Sequence, residues 1–154
     1  MSKFEAMQEY LSGTVADIFG RYLYLNSLNP DSVMFTSESQ DMANQVFLDG
    51  KKDVSFTFAI VASLPLSEYK DDTNVDSMAM FEDFKDWIEL QEQAQNYPEF
   101  ENCNVYEIVP AQNFADFVGV NEDTKFAEYR FAVTVNFIEG VVTDDVGSNE
   151  EETP

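Results

Sequence analysis

Histidine is absent from the chain and cysteine occurs once, at Cys103. The first absence removes Ser-His and Cys-His nucleophile systems, His-ligated zinc or iron, and the commonest general base. A single thiol cannot form an internal disulfide and makes a poor metal site, so Cys103 reads as a small buried or half-buried hydrophobe. Neither a Gly-rich phosphate loop nor a G-x-S-x-G elbow occurs. No apolar run approaches the roughly 20 residues of a membrane helix. The opening residues Met1-Ser2-Lys3-Phe4-Glu5 enter an amphipathic pattern without a signal peptide's apolar stretch, which predicts a cytoplasmic start. Together these gaps predict no catalytic residues, no cofactor, no essential metal and no membrane partner.

Basic residues are scarce too. Eight Lys and Arg face thirty Asp and Glu, for a formal charge of −22. Such a surface repels phosphate backbones, which argues against direct nucleic-acid binding. It suits a DNA mimic, a cation binder, a surface that DNA must pass without sticking, or simple solubility. Against these scarcities stands a rich apolar content, 44% of 154 residues, with 14 Phe and 7 Tyr. That is enough for one domain with its own core, and it excludes charge-driven disorder for the body of the chain.

Phe4, Met7, Leu11, Val15, Ile18, Tyr22 and Leu25 recur at helical steps and predict an amphipathic helix over residues 4–25. A short strand is expected at residues 32–36, then a polar loop over 37–44. Gln45-Val46-Phe47-Leu48 leads into Asp49-Gly50, a hairpin-turn signal, and the return strand at 54–62 alternates with period two. A second helix is expected over 76–95, capped by Asp76 or Ser77, with Met80, Phe81, Phe84, Trp87, Ile88 and Gln91 on its buried stripe. Glu82, Asp83 and Asp86 would then sit early, where the helix dipole favours acids. Strands are predicted at 105–109, at 114–118 and, most clearly, at 126–138. There Ala127, Tyr129, Phe131, Val133, Val135 and Phe137 form one face and Glu128, Arg130, Thr134 and Asn136 the other. Two helices on one face of a mainly antiparallel sheet satisfy all these stripes, an α+β fold over residues 1–139. Residues 140–154 read as an acidic tail.

Carboxylates are so abundant that near pairs arise by chance, so a paired-carboxylate hydrolase has no support. Asp72-Thr73-Asn74-Val75-Asp76, with Asp83 twelfth, matches part of a calcium loop. Ser77 replaces its glycine, however, and the final position is Asp instead of Glu, so a capped acidic loop explains it better. Lys51 and Lys52 are a quarter of the basic residues and fall at the expected hairpin tip, where they are candidates for contact with a carboxylate-rich neighbour.

The second half of the chain resembles a known group. Met80-Phe81-Glu82-Asp83-Phe84-Lys85-Asp86-Trp87-Ile88-Glu89 is followed by Tyr97-Pro98 and by Val105-Tyr106-Glu107-Ile108. The series closes with Ala127-Glu128-Tyr129-Arg130-Phe131-Ala132-Val133-Thr134-Val135-Asn136-Phe137. With the hairpin at 46–62, this is similar to the tail-terminator or minor capsid (tail-completion) proteins of long-tailed bacteriophages. The resemblance implies a structural virion protein made in the bacterial cytoplasm. It would form a hexameric ring that caps the tail tube and joins it to the neck. Its partners would be further copies, the tube protein, the sheath and the head-tail connector, with DNA passing through the ring unbound. Another phage neck or minor capsid protein, or an acidic DNA-mimic inhibitor, are the alternatives.

Overall fold

The period-two alternation becomes two fourteen-residue strands, β4 (Lys52–Pro65) and β7 (Phe126–Glu139). The structure is a computed structural model that describes residues 2–38, 42–66 and 71–140. β4 and β7 pair antiparallel along their whole length, from Lys52 opposite Glu139 to Pro65 opposite Phe126. Because side chains alternate across a strand, this register puts Val54, Phe56, Phe58, Ile60, Ala62 and Leu64 on the same face as Phe137, Val135, Val133, Phe131, Tyr129 and Ala127. All twelve are buried.

Shorter strands line both sides of this pair. On the β4 side, β2 (Ser32–Ser37) runs antiparallel to Phe58–Ser63, and β1 (Leu23–Leu25) joins β2 in parallel. There too β3 (Met42–Val46) folds back on the start of β4. On the β7 side, β5 (Cys103–Pro110) covers the C-terminal half of β7 and β6 (Asp116–Asn121) its N-terminal half. The result is a seven-stranded, mainly antiparallel sheet.

Both helices, α1 (Lys3–Phe19) and α2 (Asp71–Ala94), pack on the apolar face, so the fold is α+β as expected. A capping box starts α1: Glu5 N donates to Ser2 Oγ at 3.1 Å and Ser2 N to Glu5 Oε1 at 2.9 Å. The Ser2 N–H, with the Ser2 side chain adding to it, holds the Glu5 carboxyl below its ordinary range. Met7, Leu11, Val15 and Phe19 are buried. Phenylalanine rings carry the contact between layers. Phe19 meets Phe81 at 5.0 Å, Phe84 meets Phe131 edge-on at 6.0 Å, and Phe4 lies within 5.8 Å of Phe35 and 5.7 Å of Phe56.

Several boundaries differ from the sequence reading. The first helix stops at Phe19, six residues short of Leu25, because Gly20 takes the left-handed conformation (φ 65°) and its N–H bonds Ala16 O. Arg21 then grips Asp31 at 2.6 and 2.8 Å, and the chain turns so that Leu23–Leu25 enters the sheet. Tyr22 and Leu25 fit the helical stripe by spacing alone and are exposed. The polar stretch 37–44 contains the start of β3, and the strand expected at 114–118 lies at Asp116–Asn121. The second helix begins at Asp71, five residues early. Asp76 and Ser77 are therefore interior residues and not caps, and Ser77 is buried. Glu82, Asp83 and Asp86 lie beyond the reach of the dipole at the first turn. Residues 141–154, the expected acidic tail, lie outside the described residues.

Phe84 links α1, α2 and β7, so Phe84→Ala removes a ring from the centre of the core. The expected loss is about 3–5 kcal/mol. Urea denaturation checks it, followed by the fluorescence of Trp87, whose ring stacks on Phe84 at 6.3 Å.

Candidate functional site

The β3–β4 hairpin closes through three residues, Leu48, Asp49 and Gly50. Phe47 N donates to Lys51 O at 2.8 Å and Gly50 N to Phe47 O at 2.9 Å. Gly50 has φ 92°, the left-handed residue such three-residue hairpin loops require. Asp49 Oδ1 accepts from Lys51 N at 3.1 Å, which holds its carboxyl below the usual range. The apex is therefore Leu48-Asp49, and Lys51 and Lys52 stand on the returning shoulder, both exposed. Lys51 Nζ lies 3.5 Å from Asp49 within the turn. Leu48 is fully exposed, Val46 largely so and Phe47 by about a third. Sequence reasoning placed Val46, Phe47 and Leu48 in a strand; Val46 does end β3, while Phe47 and Leu48 lie beyond it. Their unbroken apolar run up to Asp-Gly was the available sign that they project beyond the sheet.

The sheet face away from the helices is finished differently. Four sets of polar side chains brace it across strands. Asn44 Nδ2 donates to Ser55 Oγ (2.8 Å), Ser55 Oγ to Asn136 Oδ1 (2.5 Å), and Asn136 Nδ2 to Glu107 Oε1 (2.7 Å), a row crossing β3, β4, β7 and β5. Tyr106 on β5 reaches over β7 and donates to Asp53 Oδ1 on β4 at 2.7 Å. Arg130 on β7 reaches over β4 to pair with Glu38 beyond β2. Thr57 and Thr134 hydrogen-bond at 2.8 Å between them. Ala59, Val61 and Ala132 are buried on this face although no described helix covers it.

A depression of about 590 Å³ along residues 95–105 has Glu99 and Glu101 as its charged members. Half-buried Cys103 borders it. Beside it Tyr10 donates to Asn96 O at 2.6 Å and Tyr97 to Glu92 Oε1 at 3.1 Å, while Glu92 also accepts from Ile108 N at 3.0 Å. Burial pushes the Tyr10 phenol up, with Tyr97 and Glu92 adding to it. These bonds tie loop 95–101 to α1, α2 and β5. The 72–83 segment with calcium-loop spacing is continuous helix within Asp71–Ala94, so it cannot wrap an ion as that loop does. Among the described residues no three His, Cys, Asp or Glu side chains gather as metal ligands, and no helix is long and apolar enough to cross a membrane.

A scan against protein-family models finds no match, and no curated protein matches the chain.

The Tyr106–Asp53 brace sets a pH dependence. The bond to Asp53, with burial second, pushes the Tyr106 phenol from 10.0 up to about 12. Below pH 10 folded and unfolded chains both keep this proton. Between 10 and 12 the unfolded chain loses it first, so this contribution to stability fades as pH rises through that window. Spectrophotometric titration should find one phenol ionising near 12 that disappears in Tyr106→Phe and shifts down in Asp53→Asn.

Proposed function

We propose that the chain is a structural virion protein, a tail terminator of a long-tailed bacteriophage or a related particle. Six copies form a ring that closes the tail tube and joins it to the neck. One observation carries the reading: where this molecule leaves apolar surface uncovered. None of its exposed large apolar side chains belongs to the central strands β4 or β7. They lie instead on flanking strands, on the β3–β4 tip, around Phe114 and on α2. Exposed apolar patches at the margins of a finished sheet mark surfaces for protein partners. A subunit built this way meets its neighbours edgewise, as subunits of a ring do.

Charge supports the same reading. Asp17 on α1 and Glu82, Asp83, Asp86 and Glu89 on α2 are exposed, so the helical layer presents acids outward. Copies carrying −22 each repel until a template organises them, and a ring of them repels the phosphates of passing DNA. The aromatic and aliphatic series from Met80 to Phe137 that resembles tail-completion proteins forms α2, β5 and β7, the centre of the fold.

Electron microscopy of the protein mixed with purified tail tubes tests the proposal. Six-subunit rings at tube ends are expected. Bare tubes, together with a monomer or dimer that competes with duplex DNA for a basic enzyme, would sink it in favour of a DNA mimic. Reversing both lysines (Lys51→Glu with Lys52→Glu) should leave the melting temperature nearly unchanged, since exposed charges contribute little to folding. It should weaken ring assembly, most at low salt, where repulsion is least screened.

A further inference from the structure

We infer that the β3–β4 hairpin tip of one copy docks into a groove between α2 and the Phe114 loop of a second copy. The knob is Phe47 and Leu48 with Lys51 and Lys52 beside them. The groove begins as a concavity of about 440 Å³ on the exposed side of α2, lined by Asn74, Val75, Met78, Ala79 and Glu82. Met78 and Glu82 also border a narrow crevice closed by Asn113, Phe114 and Ala115. Phe114 and Val75 are exposed at 68% and 62%, and Phe117 and Val118 continue the apolar surface along β6 at 56% each. An exposed leucine at a rigid turn and an apolar groove of this size suit each other in shape and chemistry.

Charge selects the occupant. Glu82 lines the groove, and Asp76 and Asp83 on α2 and Asp116 on β6 are exposed. The groove therefore calls for an apolar knob that also carries positive charge, which is scarce in this chain. Arg21, Lys125 and Arg130 are each held by a carboxylate of their own molecule, at Asp31, Glu122 and Glu38. Lys51-Lys52 is the single pair of adjacent basic residues in the sequence, and among the described residues Lys52 has no carboxylate within ion-pair distance. The surface that fits the groove is thus present on the chain itself.

The two surfaces of one molecule cannot meet. The tip stands where Lys52 pairs with Glu139, while Phe117 of β6 pairs with Tyr129, roughly 33 Å away along β7 at about 3.3 Å per residue. They also lie on opposite flanks, the tip on the β4 side and β6 on the β7 side. Non-identical surfaces at diagonal corners make a head-to-tail contact, the kind that closes into rings or runs on as filaments. The contact rests on the assembly reading above and names the surfaces that reading leaves unspecified.

Disulfide trapping tests it. With Cys103→Ser as background, Leu48→Cys is placed in one preparation and Phe114→Cys in another, both at exposed positions that leave the core intact. Circular dichroism confirms the fold of each. At about 0.5 M NaCl repulsion between copies is screened to a few ångströms. Under mild oxidation the mixture should form disulfide dimers an order of magnitude faster than either preparation alone, or than Leu48→Cys mixed with Asp17→Cys on α1. Lys51→Glu with Lys52→Glu should slow the trapping, and Glu82→Lys should restore it. A mixture no faster than the Asp17 control, or Leu48→Cys pairing with itself as fast, overturns the contact. Trapped oligomers that fail to cap tubes would keep this contact and sink the tail reading. Capping without trapping would do the reverse.

Discussion

The antiparallel β4–β7 ladder is the constraint on which the rest of this molecule depends. Its fourteen pairs fix which side chains share a face, and a shift of one residue in β7 would turn Phe131, Val135 and Phe137 toward solvent. With that register in place, one face is an unbroken apolar surface that only two amphipathic helices can cover. The other becomes the ground on which polar residues meet across strands. β2, β3, β5 and β6 each then take one half of β4 or of β7, β1 adds outside β2, and the bulges in β3, β5 and β6 absorb the mismatches.

The two faces are secured by different physics. Between sheet and helices, interlocked phenylalanines supply large apolar burial with preferred edge-on geometry, as where Phe84 meets Phe131 at 89°. On the open face, long side chains lie across intervening strands: Tyr106 over β7 and Arg130 over β4. The hydrogen-bonded row through Ser55 and Asn136 satisfies its own polar groups and leaves little apolar surface in the middle of the sheet. A face so finished has no need of a cover, and the surplus apolar surface is displaced to the margins.

That displacement links the fold to the proposed assembly role. In that proposal, charge of one sign keeps copies apart, while apolar patches at the margins and one lysine pair supply attraction at particular places. Long-range repulsion combined with short-range attraction favours association that is organised in geometry and slow to occur at random. A subunit that should assemble only at the end of another structure has use for such a balance.

The sequence by itself determined the composition of the layers. The period-two alternation of β4 and β7, the helical stripe of α2 and that of α1 as far as Ile18 are local properties, and each survived into the structure. So did the Asp-Gly hairpin, since a left-handed glycine is a requirement of the turn itself. Only the tertiary structure decided the rest. Tyr22 and Leu25 sit at helical spacing behind Phe19, yet Gly20 and the Arg21–Asp31 pair bend the chain into the sheet, a choice between two patterns that spacing alone does not separate. Asp76 and Ser77 look like caps until the helix is seen to start at Asp71. The exposure of Leu48 and Phe114, and the distance between them, follow from strand register and from which strands lack an outer neighbour. Those are relations between residues far apart in the chain, and no local period encodes them.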